Sequence, residues 1–137
     1  MVNIEEINIG DSYKFTYNYT KKAHLDFMKF SGDDSKIHSS LEFANRNGYD
    51  DVLGYAFALT AFLSKIYGTQ FPGGNELCLK QISNFRKPFY IGDEIEFKLE
   101  VSSLDIGNKI IGIDTSASNS NDIIVYTGSA LMQLSLT

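Results

Sequence analysis

The segment GYAFALTAFLSKIYG, from Gly54 to Gly68, is the one long apolar stretch in the chain, and it decides the fold class. Its apolar side chains recur on nearly every side of a helix, which is typical of a helix buried inside a domain. Small residues at positions 54, 58 and 61 permit close backbone packing. Gly68 ends the pattern, and the run from Phe71 to Gly74 follows as a turn. We therefore predict one central, buried helix over residues 54–68.

Most of the remaining chain has the period-two alternation of β-strands. Strands are predicted over residues 12–20, 76–89, 94–103, 109–117 and 123–136. Thr20 is a candidate N-cap for a short helix that ends near Phe30, and Ser39 or Ser40 is a candidate cap for another over residues 41–47. One buried helix with about five mostly antiparallel strands predicts a single α+β domain over residues 1–137.

Composition limits the classes of function. The chain has 137 residues, 43% of them hydrophobic, which suits one globular domain with a core. A formal net charge of -5 argues against a nucleic-acid-binding protein, because such a protein needs a basic surface to match the phosphates. Cys78 is the only cysteine, so an internal disulfide is impossible and no zinc-type spacing exists. The amino terminus lacks a signal-peptide pattern and residues 54–68 are too short to cross a bilayer, so we expect a cytoplasmic protein without membrane insertion.

Residues 31–38, Ser-Gly-Asp-Asp-Ser-Lys-Ile-His, contain the groups best suited to catalysis. Gly32 accepts the backbone geometry that ends a helix, and the Asp and Ser side chains that follow favour a turn. Across this turn, Asp33 and His38 can share a water molecule and move protons near neutral pH. The alternative is that Asp33 is an ordinary turn residue and His38 an ordinary residue at a helix start.

Three blocks of sequence resemble the MaoC-like, (R)-specific enoyl-thioester hydratases. Residues 31–38 resemble the family pattern Ser-Gly-Asp-x-Asn-Pro-x-His, and the helix after them contains Phe-Ala. Phe71-Pro72-Gly73 and residues 85–93, Phe-Arg-Lys-Pro-Phe-Tyr-Ile-Gly-Asp, follow in the family's order and spacing. The resemblance therefore covers nearly the whole chain.

The resemblance implies a hotdog fold, in which a curved antiparallel sheet wraps around a long central helix and short helices lie in an overhanging segment. It also implies a homodimer. The implied reaction is hydration of a trans-2-enoyl thioester, or dehydration of an (R)-3-hydroxyacyl thioester, in fatty acid or related acyl metabolism. Asp33 and His38 would hold the reacting water and divide the acid and base work. The Gly54 N–H, at the start of the central helix, would stabilise negative charge on the thioester carbonyl. The alternative is that this glycine is needed only to start a tightly packed helix.

Five further residues are predicted to bind the substrate: Ser35, Leu53, Tyr55, Arg86 and Lys87. Arg86 and Lys87, with Lys80, are suited to coenzyme A phosphates or an acidic acyl carrier protein, although a solubilising strand face is the alternative. Coenzyme A or the acyl carrier protein, as the carrier of the acyl group, is part of the thioester substrate rather than a cofactor. No metal or redox cofactor is implied, because protonation of an activated alkene needs neither.

Two other functions stay open. Ser35, Lys36 and Leu53 stand where the family commonly has Asn, Pro and His, and these departures favour a non-catalytic acyl-thioester-binding or assembly subunit. Hotdog thioesterases use an acidic residue on or near the long helix, whereas residues 54–68 contain no Asp or Glu, so thioester hydrolysis ranks lower.

Aromatic and histidine residues outside these blocks are assigned to structure. His24 lies in a Lys-rich helix start and is predicted to be at the surface. Phe43, Phe57, Phe62 and Phe71 either line an acyl tunnel or belong to the core, and aromatic residues at such spacings are more often core.

Overall fold

The computed structural model describes residues 2–137, in which one antiparallel sheet is combined with a central helix and shorter helices. The strands are β1 (Ser12–Asn18), β2 (Glu76–Phe85), β3 (Glu94–Asp105), β4 (Ile110–Ser118) and β5 (Ile124–Leu134). The α-helices are α1 (Lys21–Ser31), α2 (Lys36–Ser39), α3 (Leu41–Arg46) and α4 (Ala56–Thr69), and a short 3-10 helix covers Ile4–Glu6.

The sheet has the strand order β1-β3-β4-β5-β2, with every neighbouring pair antiparallel. The register shifts once between β3 and β4, once between β4 and β5, and once between β2 and β5. Such irregularities bend a strand and increase its twist. Strands β1 and β2 are the two edges of the sheet.

The core lies between one face of the sheet and α4. In β3 the apolar residues of the predicted alternation are all buried, whereas the charged residues between them are exposed. Leu59, Leu63 and Ile66 of α4 are buried in the same cluster. The predicted α+β arrangement of a sheet against one buried helix is confirmed. The helix begins at Ala56, two residues later than the prediction, because the Gly54 and Tyr55 N–H groups bond to Phe89 and Tyr19 and Tyr55 has an extended backbone.

Helices α1, α2 and α3 form the segment between β1 and α4. The Thr20 hydroxyl accepts a hydrogen bond from the Ala23 N–H, as predicted for an N-cap. Gly32 ends α1 with a φ of 74°, which is the left-handed conformation that glycine adopts readily. Ser40 caps α3 through the Phe43 N–H. Helix α2 was not predicted, since its four residues have no side-chain cap at their start.

Within residues 2–137, no helix is both long enough and apolar enough to cross a membrane.

Candidate active site

A pocket of about 450 Å³ lies where the loop after α1, the start of α4 and the segment after β2 meet. Seven of the predicted site residues line it: Asp33, His38, Leu53, Gly54, Tyr55, Arg86 and Lys87. Ser35 is outside the lining. Most of the other lining residues are apolar, among them Phe27, Phe85 and Phe89. The pocket therefore combines a few polar groups with walls that suit an acyl chain.

His38 is half-buried and is oriented by the segment before α4. Its Nδ1 lies 2.7 Å from the Leu53 carbonyl oxygen, which can only accept a hydrogen bond. The proton of a neutral ring is therefore on Nδ1, and the lone pair is on Nε2. Nε2 has no hydrogen-bond partner among residues 2–137. His38 thus has a free proton-accepting nitrogen in a residue that lines the pocket.

Asp33 lies on the exposed side of the same pocket. Its carboxylate accepts a hydrogen bond from the Ser35 N–H at 3.1 Å. The Ser35 hydroxyl, followed by this N–H, holds the pKa of the Asp33 carboxyl below its usual range, and His38 contributes a smaller effect in the same direction. Asp33 is therefore an ionised carboxylate at neutral pH. Ser35, predicted to bind the substrate, contacts Asp33 instead.

Tyr55 contacts both His38 and Asp33. Its ring stacks on the His38 imidazole, with 4.0 Å between centroids and 23° between planes. Its hydroxyl donates a hydrogen bond to the Asp33 carbonyl oxygen. Although Tyr55 lines the pocket, it is 2% exposed, and these contacts position the residues on either side of the turn.

Gly54 does not have the free N–H that we expected. This N–H donates to the Phe89 carbonyl oxygen at 2.7 Å, so the prediction of an unoccupied donor at Gly54 is wrong. The lack of a side chain has a separate reason. A Cβ at this position would lie 2.4 Å from the Phe89 ring, which is too close for any side chain.

The unoccupied donors lie two residues further along, at the start of α4. The N–H groups of Ala56 and Phe57 have no acceptor among the described residues, and no side chain caps this helix. Both residues line the pocket. N–H groups at a helix start, together with the helix dipole, favour negative charge. Sequence reasoning found the correct helix end but the wrong residues, because the bond from Gly54 to Phe89 is not visible in the sequence.

Arg86 and Lys87 line the pocket from the segment immediately after β2. Both are exposed, and the Arg86 Nε donates to the Thr127 hydroxyl at 3.0 Å. Strand β2 ends at Phe85 rather than at residue 89, so these two side chains belong to a connecting segment. They give the pocket a cationic rim in an otherwise acidic chain.

His24 and the phenylalanines outside the motifs were assigned from the sequence to the surface, the core or an acyl tunnel. His24 is not at the surface: it is 2% exposed, so this prediction is wrong. Its ring has hydrogen bonds at both nitrogens, which removes the usual cost of burying an imidazole. Of the four phenylalanines assigned to core or tunnel, Phe57 lines the pocket, whereas Phe71 is buried and stacks on Tyr13.

Groups of three or more His, Cys, Asp or Glu side chains arranged to hold a metal ion are absent from residues 2–137. The polar groups of the pocket are thus one carboxylate, one imidazole, backbone donors and two cations. Such a set can transfer protons and stabilise an oxyanion.

No protein-family model matches the chain. Among curated proteins, it is 27% identical over 130 residues to the 3-hydroxybutyryl-CoA dehydratase of Methylorubrum extorquens, covering 95% of this chain and 82% of that protein. It is 22% identical over 133 residues to the (R)-specific enoyl-CoA hydratase of Aeromonas caviae, covering 97% of this chain and 99% of the relative.

Among solved structures, the R-hydratase PhaJ1 of Pseudomonas aeruginosa superimposes with a TM-score of 0.90 at 21% identity, covering 98% of this chain and 86% of that one. This agreement confirms the predicted hotdog fold. The two sequence relatives match almost the full chain, and the (R)-hydratase of A. caviae has this fold, with a TM-score of 0.88. In sequence over almost its full length, and in fold, the chain is therefore similar to MaoC-like hydratases and dehydratases.

Proposed function

We propose that the protein is a hydro-lyase that acts on acyl thioesters. It adds water to a trans-2-enoyl thioester, or removes water from an (R)-3-hydroxyacyl thioester in the reverse direction. The observation that carries this proposal is that Asp33, ionised, and His38, with a free Nε2, line one pocket. The names of the dehydratase and hydratase relatives support the same reaction class.

The arrangement suggests how protons move. A water molecule between the two side chains donates one proton to the His38 Nε2 while its oxygen attacks C3 of the enoyl group. The Asp33 carboxylate accepts the other hydrogen bond of this water and stabilises the imidazolium that forms. The imidazolium then delivers its proton to C2. One water molecule has been added across the double bond, and both side chains have returned to their starting states.

Negative charge develops on the thioester carbonyl oxygen during this addition. The N–H groups of Ala56 and Phe57 are the donors that we assign to it, because neither has an acceptor among the described residues and both residues line the pocket. Donors fixed by the backbone of a 14-residue helix need little reorganisation when the charge appears.

The departures from the family pattern leave these groups in place. Ser35 provides both a hydroxyl and an N–H to Asp33. Leu53 contributes to the site through its carbonyl oxygen, which any residue provides. Lys36 is exposed. The features that favoured a non-catalytic subunit are therefore compatible with catalysis.

We assign the carrier to the side of the pocket occupied by Arg86 and Lys87. Two exposed cations beside an apolar pocket suit the phosphates of coenzyme A or the phosphopantetheine arm and acidic surface of an acyl carrier protein. No metal or redox cofactor takes part in the proposed reaction, because the proton transfers need only the side chains named above.

We further propose that two copies of the chain associate through strand β2. This strand is an edge of the sheet, and four of its apolar side chains are 42% to 53% exposed: Leu77, Leu79, Ile82 and Phe85. An edge strand with exposed apolar groups is normally covered by a partner. A single domain over residues 1–137 and a cytoplasmic location remain predictions.

A substrate screen tests the proposed function. The purified protein is incubated with enoyl-CoA and (R)-3-hydroxyacyl-CoA thioesters of several chain lengths, and the loss or formation of the conjugated double bond is followed by absorbance. Interconversion of the two classes is the expected result. Release of free thiol without hydration would assign the protein to the thioesterases. Binding of acyl-CoA by calorimetry, with no turnover of any substrate, would assign it to the non-catalytic subunits.

A further inference from the structure

A buried hydrogen-bonded chain lies directly behind the candidate active site. His24 of α1 is 2% exposed, and Tyr19, just after β1, is 0% exposed. The His24 Nδ1 lies 2.6 Å from the Tyr19 hydroxyl oxygen. The His24 Nε2 lies 2.8 Å from the carbonyl oxygen of His38. The buried imidazole therefore contacts the backbone of the residue that carries the free Nε2.

The direction of each hydrogen bond follows from its partners. A carbonyl oxygen can only accept a hydrogen bond. The His24 Nε2 therefore carries a proton and donates a hydrogen bond to the His38 carbonyl oxygen. The Tyr19 hydroxyl oxygen accepts the Tyr55 N–H at 3.1 Å. Its own hydrogen is then free to be donated to the His24 Nδ1. In the neutral form of each ring, the network therefore places the His24 proton on Nε2, whereas the His38 proton is on Nδ1.

The backbone at His38 depends on such contacts. Helix α2 has only four residues, which is too short for helix formation to fix it. The Leu53 N–H donates to the Ile37 carbonyl at 3.0 Å, and the Leu53 carbonyl accepts the His38 Nδ1–H. His24 supplies a further anchor, from α1, at the carbonyl of His38 itself.

We propose that His24 is a positioning residue for His38. Its Nε2–H fixes the backbone from which the His38 imidazole projects, and Tyr19 fixes the tautomer of His24 that has this proton. The inference rests on the proposed function in that His38 is the base. A displacement of a catalytic group by about 1 Å costs on the order of 100-fold in rate, and loss of an outer partner costs about 10- to 100-fold.

Two substitutions at one position separate donation from packing. In the His24→Gln variant, the side chain keeps an N–H donor near the position of Nε2. In the His24→Leu variant, the side chain fills the buried space but has no donor. We expect His24→Leu to lower kcat by about 10- to 100-fold with KM changed less than about threefold, and His24→Gln to recover at least half of that loss on a logarithmic scale. A role in packing alone predicts similar kcat values for the two variants, because both side chains fill the buried space.

A second measurement does not depend on turnover. The chain contains two histidines, so long-range proton–nitrogen NMR spectra are assigned by removing one of them. In the unmodified protein we expect His24 as the Nε2–H tautomer and His38 as the Nδ1–H tautomer. In His24→Leu we expect His38 to become a mixture of tautomers. Tyr19→Phe, which keeps the His24 ring, is expected to mix the tautomers of His24 and serves if His24→Leu does not fold.

A failure of the positioning role of His24 can be distinguished from a failure of the proposed function. If no enoyl or 3-hydroxyacyl thioester is turned over, the proposed function fails, but the NMR spectra still decide the inference. His24→Leu as active as His24→Gln, an unchanged His38 tautomer in His24→Leu, or an unchanged His24 tautomer in Tyr19→Phe would overturn it.

Discussion

The two histidines of the chain occupy contrasting sites, although their ring centroids are only 6.2 Å apart and both rings contact Tyr55. His24 is buried and hydrogen-bonded at both nitrogens. His38 is half-buried, with one nitrogen bonded and the other without a partner among residues 2–137. The two rings therefore differ in which nitrogens are left free: His38 has one nitrogen available to exchange a proton, and His24 has none.

The largest expected difference comes from applying the same substitution at both positions. His38→Gln removes the proton-accepting Nε2 and is expected to lower kcat by about 10²- to 10⁴-fold, the usual contribution of general acid–base catalysis. His24→Gln keeps a donor to the His38 carbonyl and is expected to lose less than about tenfold. Steady-state hydration rates of the two variants, side by side, measure the contrast. Equal losses would show that the two rings have the same role.

Gly54→Ala disturbs the anchor of His38 on the Leu53 side and keeps the His24 side chain itself. The new methyl group would meet the buried Phe89 ring at 2.4 Å, so the backbone at residues 53 and 54 must move. We expect a loss of about 1–3 kcal/mol in the free energy of unfolding, as for other overpacked sites, together with a lower kcat. Denaturant unfolding and kinetics measure both.

Gly68→Ala is the matched control for this substitution. Gly68 lies near the end of α4, and a Cβ there would have one contact, at an ordinary 3.8 Å from Glu76. Alanine is favoured over glycine inside a helix by about 1 kcal/mol, so this variant is expected to be at least as stable as the unmodified protein. If both variants had the same stability, the contact with Phe89 would not explain Gly54.

Tyr55→Phe tests the link between the two sides of the turn. It removes the hydrogen bond to the Asp33 carbonyl but keeps the ring that stacks on His38. A hydrogen bond of this kind contributes about 0.5–1.5 kcal/mol, so we expect a rate loss of roughly two- to tenfold. Tyr49→Phe is the control, since the Tyr49 hydroxyl has no partner among residues 2–137, and it should match the unmodified protein. A larger loss in the control would contradict the assignment.

Ser35→Ala has the smallest expected effect, which is on the titration of Asp33. The Ser35 hydroxyl is the main cause of the lowered pKa of this carboxyl, and the Ser35 N–H is the second. Without the hydroxyl, the Asp33 pKa should rise toward 3.8 but remain lowered. A carboxyl with a lowered pKa in the folded state adds stability at pH values above its unfolded pKa, and this contribution disappears as the pH falls. Ser35→Ala should therefore reduce this contribution of Asp33 to stability.

Carbon NMR titration of the carboxyl groups measures this change. Asp105 is an internal control in the same spectra, because the pKa of its exposed carboxyl is lowered by Asn108, independently of Ser35. A rise in the Asp33 pKa with no change at Asp105 is the expected result. An unchanged Asp33 pKa would show that the Ser35 hydroxyl does not act on it.

Much of the fold could be predicted from residue patterns because the signals are local. The alternation over β3, the Thr20 cap and the left-handed Gly32 each depend on neighbours within a few residues. The strand ends were less accurate: β2 was predicted to reach residue 89 but ends at Phe85, three residues before Pro88, which has no N–H for a strand ladder.

The site was predicted only in part, because its decisive contacts join distant residues. The motif predicted Asp33 and His38, and the structure places both in one pocket. The Gly54 N–H was misassigned because its acceptor, Phe89, is 35 residues away in the sequence. His24 was misplaced because two lysines precede it. Its helical spacing to Phe27 and Met28 was the one available signal that it faces inward.

The measurement that tests the account most directly is crotonyl-CoA hydration by two neighbouring Asp→Asn variants. Asp33 lines the pocket, whereas Asp34, the next residue, does not. We predict that Asp33→Asn lowers kcat by at least about 100-fold, and that Asp34→Asn stays within about threefold of the unmodified enzyme. Equal rates for the two variants would contradict the central claim that an Asp33 and His38 pair activates the water.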